Sequence, residues 1–174
     1  MEESLLIADA STLLNFLRVR RFDLMQGLGY RIRIVDAVFE EIQSEREHLE
    51  ELVNGGHIKT LTLEGKAITD TVATLLGLGL GSGESFSFAA AIEFEGAVAI
   101  DDLRAVKRVQ SVSPNLKILT TPDIVVAGIH SRTISVADAD KLKVDWAENH
   151  RFRMKFATFT DLLQATGMEV EDGK

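Results

Sequence analysis

The sequence predicts a three-layer α/β/α fold around a mainly parallel sheet, and three observations carry that expectation. Short apolar runs ending on acids or turn residues alternate with longer stretches of helical periodicity, the pattern of strand–helix–strand crossovers. Right-handed crossovers place such helices on both faces of the sheet. The chain has 174 residues, 45% hydrophobic and 26% charged, with no internal repeat or linker, enough for one self-sufficient core.

Ser4 to Asp9 is a short apolar run and reads as a strand; Leu13, Leu14, Phe16 and Leu17 follow at helical spacing. Tyr30 to Val35 alternates as a second strand, and Asp36 is placed to cap a charged helix running to about Asn54, where Gly55-Gly56 stops it. His57 to Leu63 alternates again, Glu64 to Leu76 reads as helix, and Gly77 to Gly83 as loop. A helix apolar nearly all round is expected from Glu84 to about Glu95, then a buried strand at Ala97 to Ile100 ending on Asp101-Asp102. A helix bearing Arg104, Lys107 and Arg108, a strand at Leu116 to Leu119, and helices at about 123–130 and 136–149 complete the alternation. The tail reads differently. From His150 to Phe156, Arg151, Arg153 and Lys155 alternate with Phe152, Met154 and Phe156, which predicts an amphipathic strand able to pair with a second copy or a partner, or to be covered. Thr160 is placed to cap a last helix through Ala165, and Glu169 to Lys174 reads as a frayed end. The expected organisation is a main domain over 1–149 with an extension, 150–174, packed on it.

Composition narrows the chemistry. With no cysteine, disulfide scaffolds, thiol catalysis and Cys-ligated metals are excluded. The 19 Lys and Arg against 27 Asp and Glu give 19 − 27 = −8, so any nucleic acid must be held by local rather than overall charge. Acids at Glu2 and Glu3, and the absence of any apolar run near the roughly 18 residues of a membrane span, lead to the expectation of a cytoplasmic protein.

Ligands of open parallel sheets bind beyond the carboxyl ends of the strands, and Asp9 and Asp101 sit at two such ends, where each also suits a helix N-cap. Glu84 opens its helix, favoured there by the dipole, yet it shares a stripe with Phe88 and Ala91, where a charge needs a partner such as a cation. Glu41 lies on the edge of the stripe formed by Val38, Ile42, Leu49, Leu52 and Val53; Glu40 is expected to point to solvent, and Glu45 is a reserve candidate one turn on. Carboxylates without His or Cys select Mg²⁺ or Mn²⁺ over zinc, one ion activating water and a second steadying the leaving oxygen. His48, His57, His130 and His150 show no ligand spacing and read as surface. For phosphate contact the candidates are Arg104, Lys107 and Arg108 on one helix face, and Arg18, Arg20 and Arg21 after the first helix.

The segments Ile7-Ala-Asp9-Ala-Ser11-Thr-Leu-Leu-Asn15, Val35-Asp-Ala-Val38-Phe-Glu-Glu41-Ile42, Leu80-Gly-Ser-Gly-Glu84 and Ala99-Ile-Asp101-Asp102 followed by Lys107 resemble those of PIN-domain proteins, in particular the VapC-type toxin ribonucleases and related nucleic-acid-binding proteins. The resemblance spans about residues 5 to 130. It implies a metal-dependent endoribonuclease with Asp9, Glu41, Glu84 and Asp101 as catalytic carboxylates, Asp102 as neighbour or substitute, and Ser11 as a supporting hydroxyl on the nucleic-acid side. Asp9, Glu84 and Asp101 are expected to converge on one cation. An antitoxin partner is also implied, while the expectation of a homodimer comes from the amphipathic strand of the tail. The pattern departs after Leu119, where Thr120-Thr121-Pro122-Asp123 replaces the Gly-Thr turn of small relatives, leaving the last site residue open among Asp102, Thr121 and Asp123. A haloacid-dehalogenase reading lacks its second acid, since Ser11 stands there, and the glycine run lacks the Gly-Lys-Ser/Thr of a nucleotide loop. The remaining rival is a non-catalytic binding module on the same fold.

Overall fold

The computed structural model describes residues 4–167. Glu2 and Glu3 and the frayed end expected at Glu169 to Lys174 lie outside the described residues. Five strands, β1 (Leu5–Ala8), β2 (Arg31–Val35), β3 (Lys59–Leu61), β4 (Ala97–Ala99) and β5 (Lys117–Leu119), pair in parallel in the order β3-β2-β1-β4-β5. Leu6, Ile7, Ala8, Val98 and Ala99 are fully buried, as central strands covered on both faces must be, which is why these runs are apolar throughout. The chain builds outward from β1 to β3 on one side and then returns to place β4 on the other. That reversal opens a crevice at the carboxyl ends of β1 and β4, where Asp9 and Asp101 stand.

The helices are α1 (Ala10–Arg18), α2 (Asp23–Gln26), α3 (Asp36–Glu41), α4 (Arg46–Asn54), α5 (Lys66–Gly77), α6 (Ser82–Glu93), α7 (Leu103–Gln110), α8 (Thr121–His130), α9 (Val136–Asn149) and α10 (Phe159–Ala165). The layered α/β/α arrangement is as the alternation predicts. Helix α6 is deeply buried, with Phe88, Ala89, Ala90 and Ala91 at 0–1% exposure where it packs across β1, β2 and β4.

Four local expectations are corrected. The single helix over 36–54 is two: Ile42 is extended, Glu45 is left-handed at φ 59°, and the Arg46 guanidinium closes the corner by lying 3.8 Å from the Phe39 ring centroid and donating to the Phe39 and Ile42 carbonyls. Short α2 was not anticipated. The loop expected through Gly83 already turns helical at Ser82, so Gly83 is buried inside the first turn of α6. Finally, 151–156 forms no strand. Its period-two pattern survives, with Phe152, Met154 and Phe156 half-buried and Arg151, Arg153 and Lys155 exposed, but the segment lies over helices: Phe152 meets Trp146 of α9 at 6.1 Å and Phe156 meets Phe159 of α10 at 5.0 Å, ring to ring. The edge strand that motivated pairing with a second copy is thus absent, and the α10 cap is Thr158, not Thr160.

Candidate active site

Asp9 follows β1 directly. Its backbone amide donates to the Ala99 carbonyl of β4 at 2.9 Å, and its own carbonyl accepts the first hydrogen bond of α1 from Leu13, so the residue is fixed at both ends. The residue is 6% exposed, and Oδ2 accepts from the Ser11 hydroxyl at 2.9 Å. Burial pushes its pKa from the ordinary 3.8 to about 6, opposed by the Ser11 hydroxyl and amide and reinforced by the charges of Glu84 and Glu41.

Those two glutamates reach Asp9 from separate elements. Glu84 is the third residue of α6, and its Oε2 accepts from the Gly81 amide at 2.9 Å, fastening the carboxylate over the helix start. Glu41 ends α3, and its Oε2 lies against Gly83: a Cβ placed there would be 2.6 Å from it. Glycine leaves the Glu41 carboxylate where it is, and a larger residue would displace it. Asp9, Ser11, Glu40, Glu41 and Glu84 line one open cleft with no basic side chain among the lining residues. Glu40, expected to point away, stands exposed at its rim, whereas the reserve candidate Glu45 pairs with Arg20 at 3.5 Å outside it.

Asp101 is not among the residues lining this cleft. Its Oδ2 accepts from the hydroxyls of Thr12 at 2.8 Å and Thr121 at 2.6 Å and from the Asn15 amide at 3.4 Å, while Oδ1 accepts from the Thr121 backbone amide at 2.8 Å. Asn15 also donates to Thr121 Oγ1 at 3.2 Å, and its carbonyl accepts from Trp146 Nε1 at 2.8 Å. Asp101 therefore ties α1 to the start of α8, and α9 reaches the same knot. Sequence reasoning missed Thr12 and Asn15, although two polar residues three apart among Leu13, Phe16 and Leu17 carried a readable signal: both are buried. The capping role goes to Asp102, which accepts from the amides of Arg104 and Ala105 at 2.8 and 3.1 Å, and α8 is capped by Thr120, whose amide and hydroxyl donate back to Asp123 at 2.8 Å.

Of the three carboxylates expected to converge on one cation, Asp9 and Glu84 line the cleft, while Asp101 is held by Thr12, Asn15 and Thr121. Among the described residues no group of three or more His, Asp or Glu side chains is placed to hold a metal ion. The all-oxygen donor set around Asp9 still fits a hard divalent cation, because Mg²⁺ is commonly held through one or two carboxylates with water completing its shell. A carboxylate buried beside two others without a counter-charge is what such an ion would relieve.

Of the basic candidates, Arg104 and Lys107 line an open pocket with Asp101, Asp102, Leu103 and Lys155. Arg108 instead donates to the Gly79 carbonyl at 2.7 Å, and Arg21 is bound to Asp23 by two bonds of 2.9 Å, which leaves Arg18 the only member of its cluster without a carboxylate partner among the described residues. His57 and His130 are exposed and His150 half-buried; His48 is half-buried with its Nδ1 enclosed, contrary to a surface reading.

A family profile for DUF3368, a PIN domain, matches residues 5–168. No curated protein matches the chain. Among solved structures, that of VapBC-1 from nontypeable Haemophilus influenzae is similar in fold, with a TM-score of 0.50 at 12% identity, covering 67% of this chain and 98% of that one.

Proposed function

The chain belongs to the PIN-domain family, and on that premise we propose that it is a metal-dependent endoribonuclease, the cytoplasmic toxin of a toxin–antitoxin pair, hydrolysing RNA phosphodiesters with Mg²⁺ or Mn²⁺. The observation that supports this reading best is Asp9: buried at the sheet's crevice, its pKa lifted to about 6, with Glu41 and Glu84 reaching it from two other elements. In this reading Asp9 and Glu84 hold the ion, whose chemistry is to activate water and to screen the phosphate. Ser11 keeps Asp9 Oδ2 oriented, Glu41 adds negative charge across Gly83, and Asp101, locked by Thr12, Asn15 and Thr121, fixes the far wall where Arg104 and Lys107 meet the RNA backbone. An antitoxin and a second copy of the chain are the proposed protein partners.

A second reading, a PIN-fold binding module without catalysis, draws on the fully engaged Asp101 and the absence of a ready three-carboxylate group among the described residues. Single-stranded RNA incubated with the protein and Mn²⁺ or Mg²⁺ separates the two. Cleavage that chelator stops and that Asp9→Asn abolishes supports the nuclease; intact RNA at every metal concentration supports the binding module.

A further inference from the structure

On a chain of net charge −8, most basic side chains near carboxylates pair with them, as Arg20, Arg21, Arg46, Lys66 and Lys141 do. Arg104, Lys107 and Lys155 are different. All three are exposed, none is engaged by an ion pair or side-chain hydrogen bond among the described residues, and they converge on one open pocket at the mouth of the crevice beside Asp101. Two come from α7, but Lys155 comes from the segment after α9, some fifty residues later.

That segment shapes a second feature continuous with the first. Phe152, Met154 and Phe156 form one wall of an apolar groove whose other walls are Pro122 and Val126 of α8 and Leu162 of α10; Asp101, Leu103 and Lys155 line both the groove and the charged pocket. Arg104, Lys107 and Lys155 outnumber Asp101 and Asp102 in the charged pocket, and an apolar groove continuous with it, with Asp123 and Arg153 also on its wall, matches a nucleotide, whose phosphate takes the cations and whose flat base, once unstacked, takes the apolar surface. An apolar peptide would leave the lip cations unmatched. Leu103, 53% exposed where the two features meet, is an apolar surface without a cover in the chain itself.

We propose that the C-terminal segment is a nucleic-acid-binding wall: Lys155 with Arg104 and Lys107 takes a phosphate of single-stranded RNA, and the groove bounded by Phe152, Met154 and Phe156 takes the neighbouring base. This rests on the ribonuclease reading and assigns its substrate a single-stranded form and a binding face.

The test is fluorescence anisotropy of a labelled eight-nucleotide single-stranded RNA on the metal-free full chain, across salt concentrations. Lys155→Gln and Arg104→Gln should each weaken binding about five-fold or more and lower the slope of log affinity against log salt by about 0.7, the value for one phosphate on a single strand. Lys66→Gln, on the far α5, should bind as the unaltered protein does. Val126→Trp, filling the groove, should weaken RNA binding while leaving inorganic polyphosphate binding in place, since polyphosphate has no base. Exposed lysine and arginine changes should leave the melting temperature unaltered, so a loss of binding is not a loss of fold. Unaltered RNA affinity in both cation variants overturns the proposal, as does a polyglutamate peptide that binds more tightly than RNA with the same dependence on Lys155, which would make the face a docking site for an acidic protein. Should the unaltered protein cut RNA while Lys155→Gln and Arg104→Gln leave KM unchanged, this inference fails and the nuclease reading stands; should it neither bind nor cut RNA, both fail.

Discussion

Asp9 is the carboxylate that burial perturbs most clearly in the cleft, and its titration has a definite sign. Its folded pKa of about 6 lies above the ordinary 3.8, so between those values the native state holds more protons than the unfolded chain, and stability falls as pH rises through that window. Above it the ionised, buried carboxylate costs the fold up to about 3 kcal/mol. Asp9→Asn is therefore predicted to melt higher than the unaltered protein at pH 7 without metal, with the gain shrinking to nothing near pH 4, while nuclease activity falls by about a thousand-fold. Thermal melts across pH and an RNA cleavage assay check the two halves. A second prediction concerns Gly83. The close contact of an alanine there is with the flexible tip of Glu41, Val38 lying at an ordinary 3.5 Å, so Gly83→Ala should displace that carboxylate, reduce activity, and leave stability level or raised by up to about 1 kcal/mol through helix propensity; chemical denaturation beside the cleavage assay reads both. Asp9, Glu41 and Glu84 were legible in the sequence because strand ends and helix stripes place them. The inward turn of Asp101 was not, since nothing in the spacing of Asp101-Asp102 says which acid caps α7 and which faces α1.

At the scale of elements, the knot around Asp101 couples α1, α8 and α9. Asn15→Ala would leave Asp101 and the Thr121 hydroxyl each short of a donor in a buried place, at a cost of about 1–3 kcal/mol. Trp146→Phe removes the indole N–H that satisfies the Asn15 carbonyl and also part of a fully buried ring packed on Phe16 and Phe152, so it should cost more than Asn15→Ala; equilibrium unfolding of both variants measures the order, and the reverse order would place the weight in the Asn15 bonds to Asp101 and Thr121. The strands and most helices follow from apolar periodicity alone. The break of 36–54 into α3 and α4 does not, because Val38, Ile42 and Leu49 keep a helical stripe across it; the break is held by Arg46 reaching back to Phe39 and Ile42, side-chain bonds to backbone that apolar periodicity does not weigh. The tail erred for a related reason. Alternation reports that one side of an extended segment is covered, and here helices do the covering rather than a sheet edge.

Seen as a whole, the molecule extends its core through that tail: Phe159 and Leu163 are 0% and 2% exposed, and the Phe159 amide donates to Asp140 of α9 at 2.7 Å. Truncation after Asn149 is thus predicted to cost about 5 kcal/mol or more, from two buried apolar side chains and the uncovering of Trp146, and to broaden or abolish the cooperative melt; a sharp, unshifted melt would mean the extension is an appendage. The crevice itself exists because the strand order reverses between β1 and β4, which delivers Asp9, Glu41 and Glu84 to one cleft from residues more than seventy positions apart. Calorimetric titration of the full chain with Mn²⁺ at pH 7 tests that cleft most directly. Saturable binding that Asp9→Asn abolishes and Glu47→Gln, on exposed α4, leaves intact is the predicted result; no binding, or binding that Asp9→Asn does not change, would contradict a metal centre at this site.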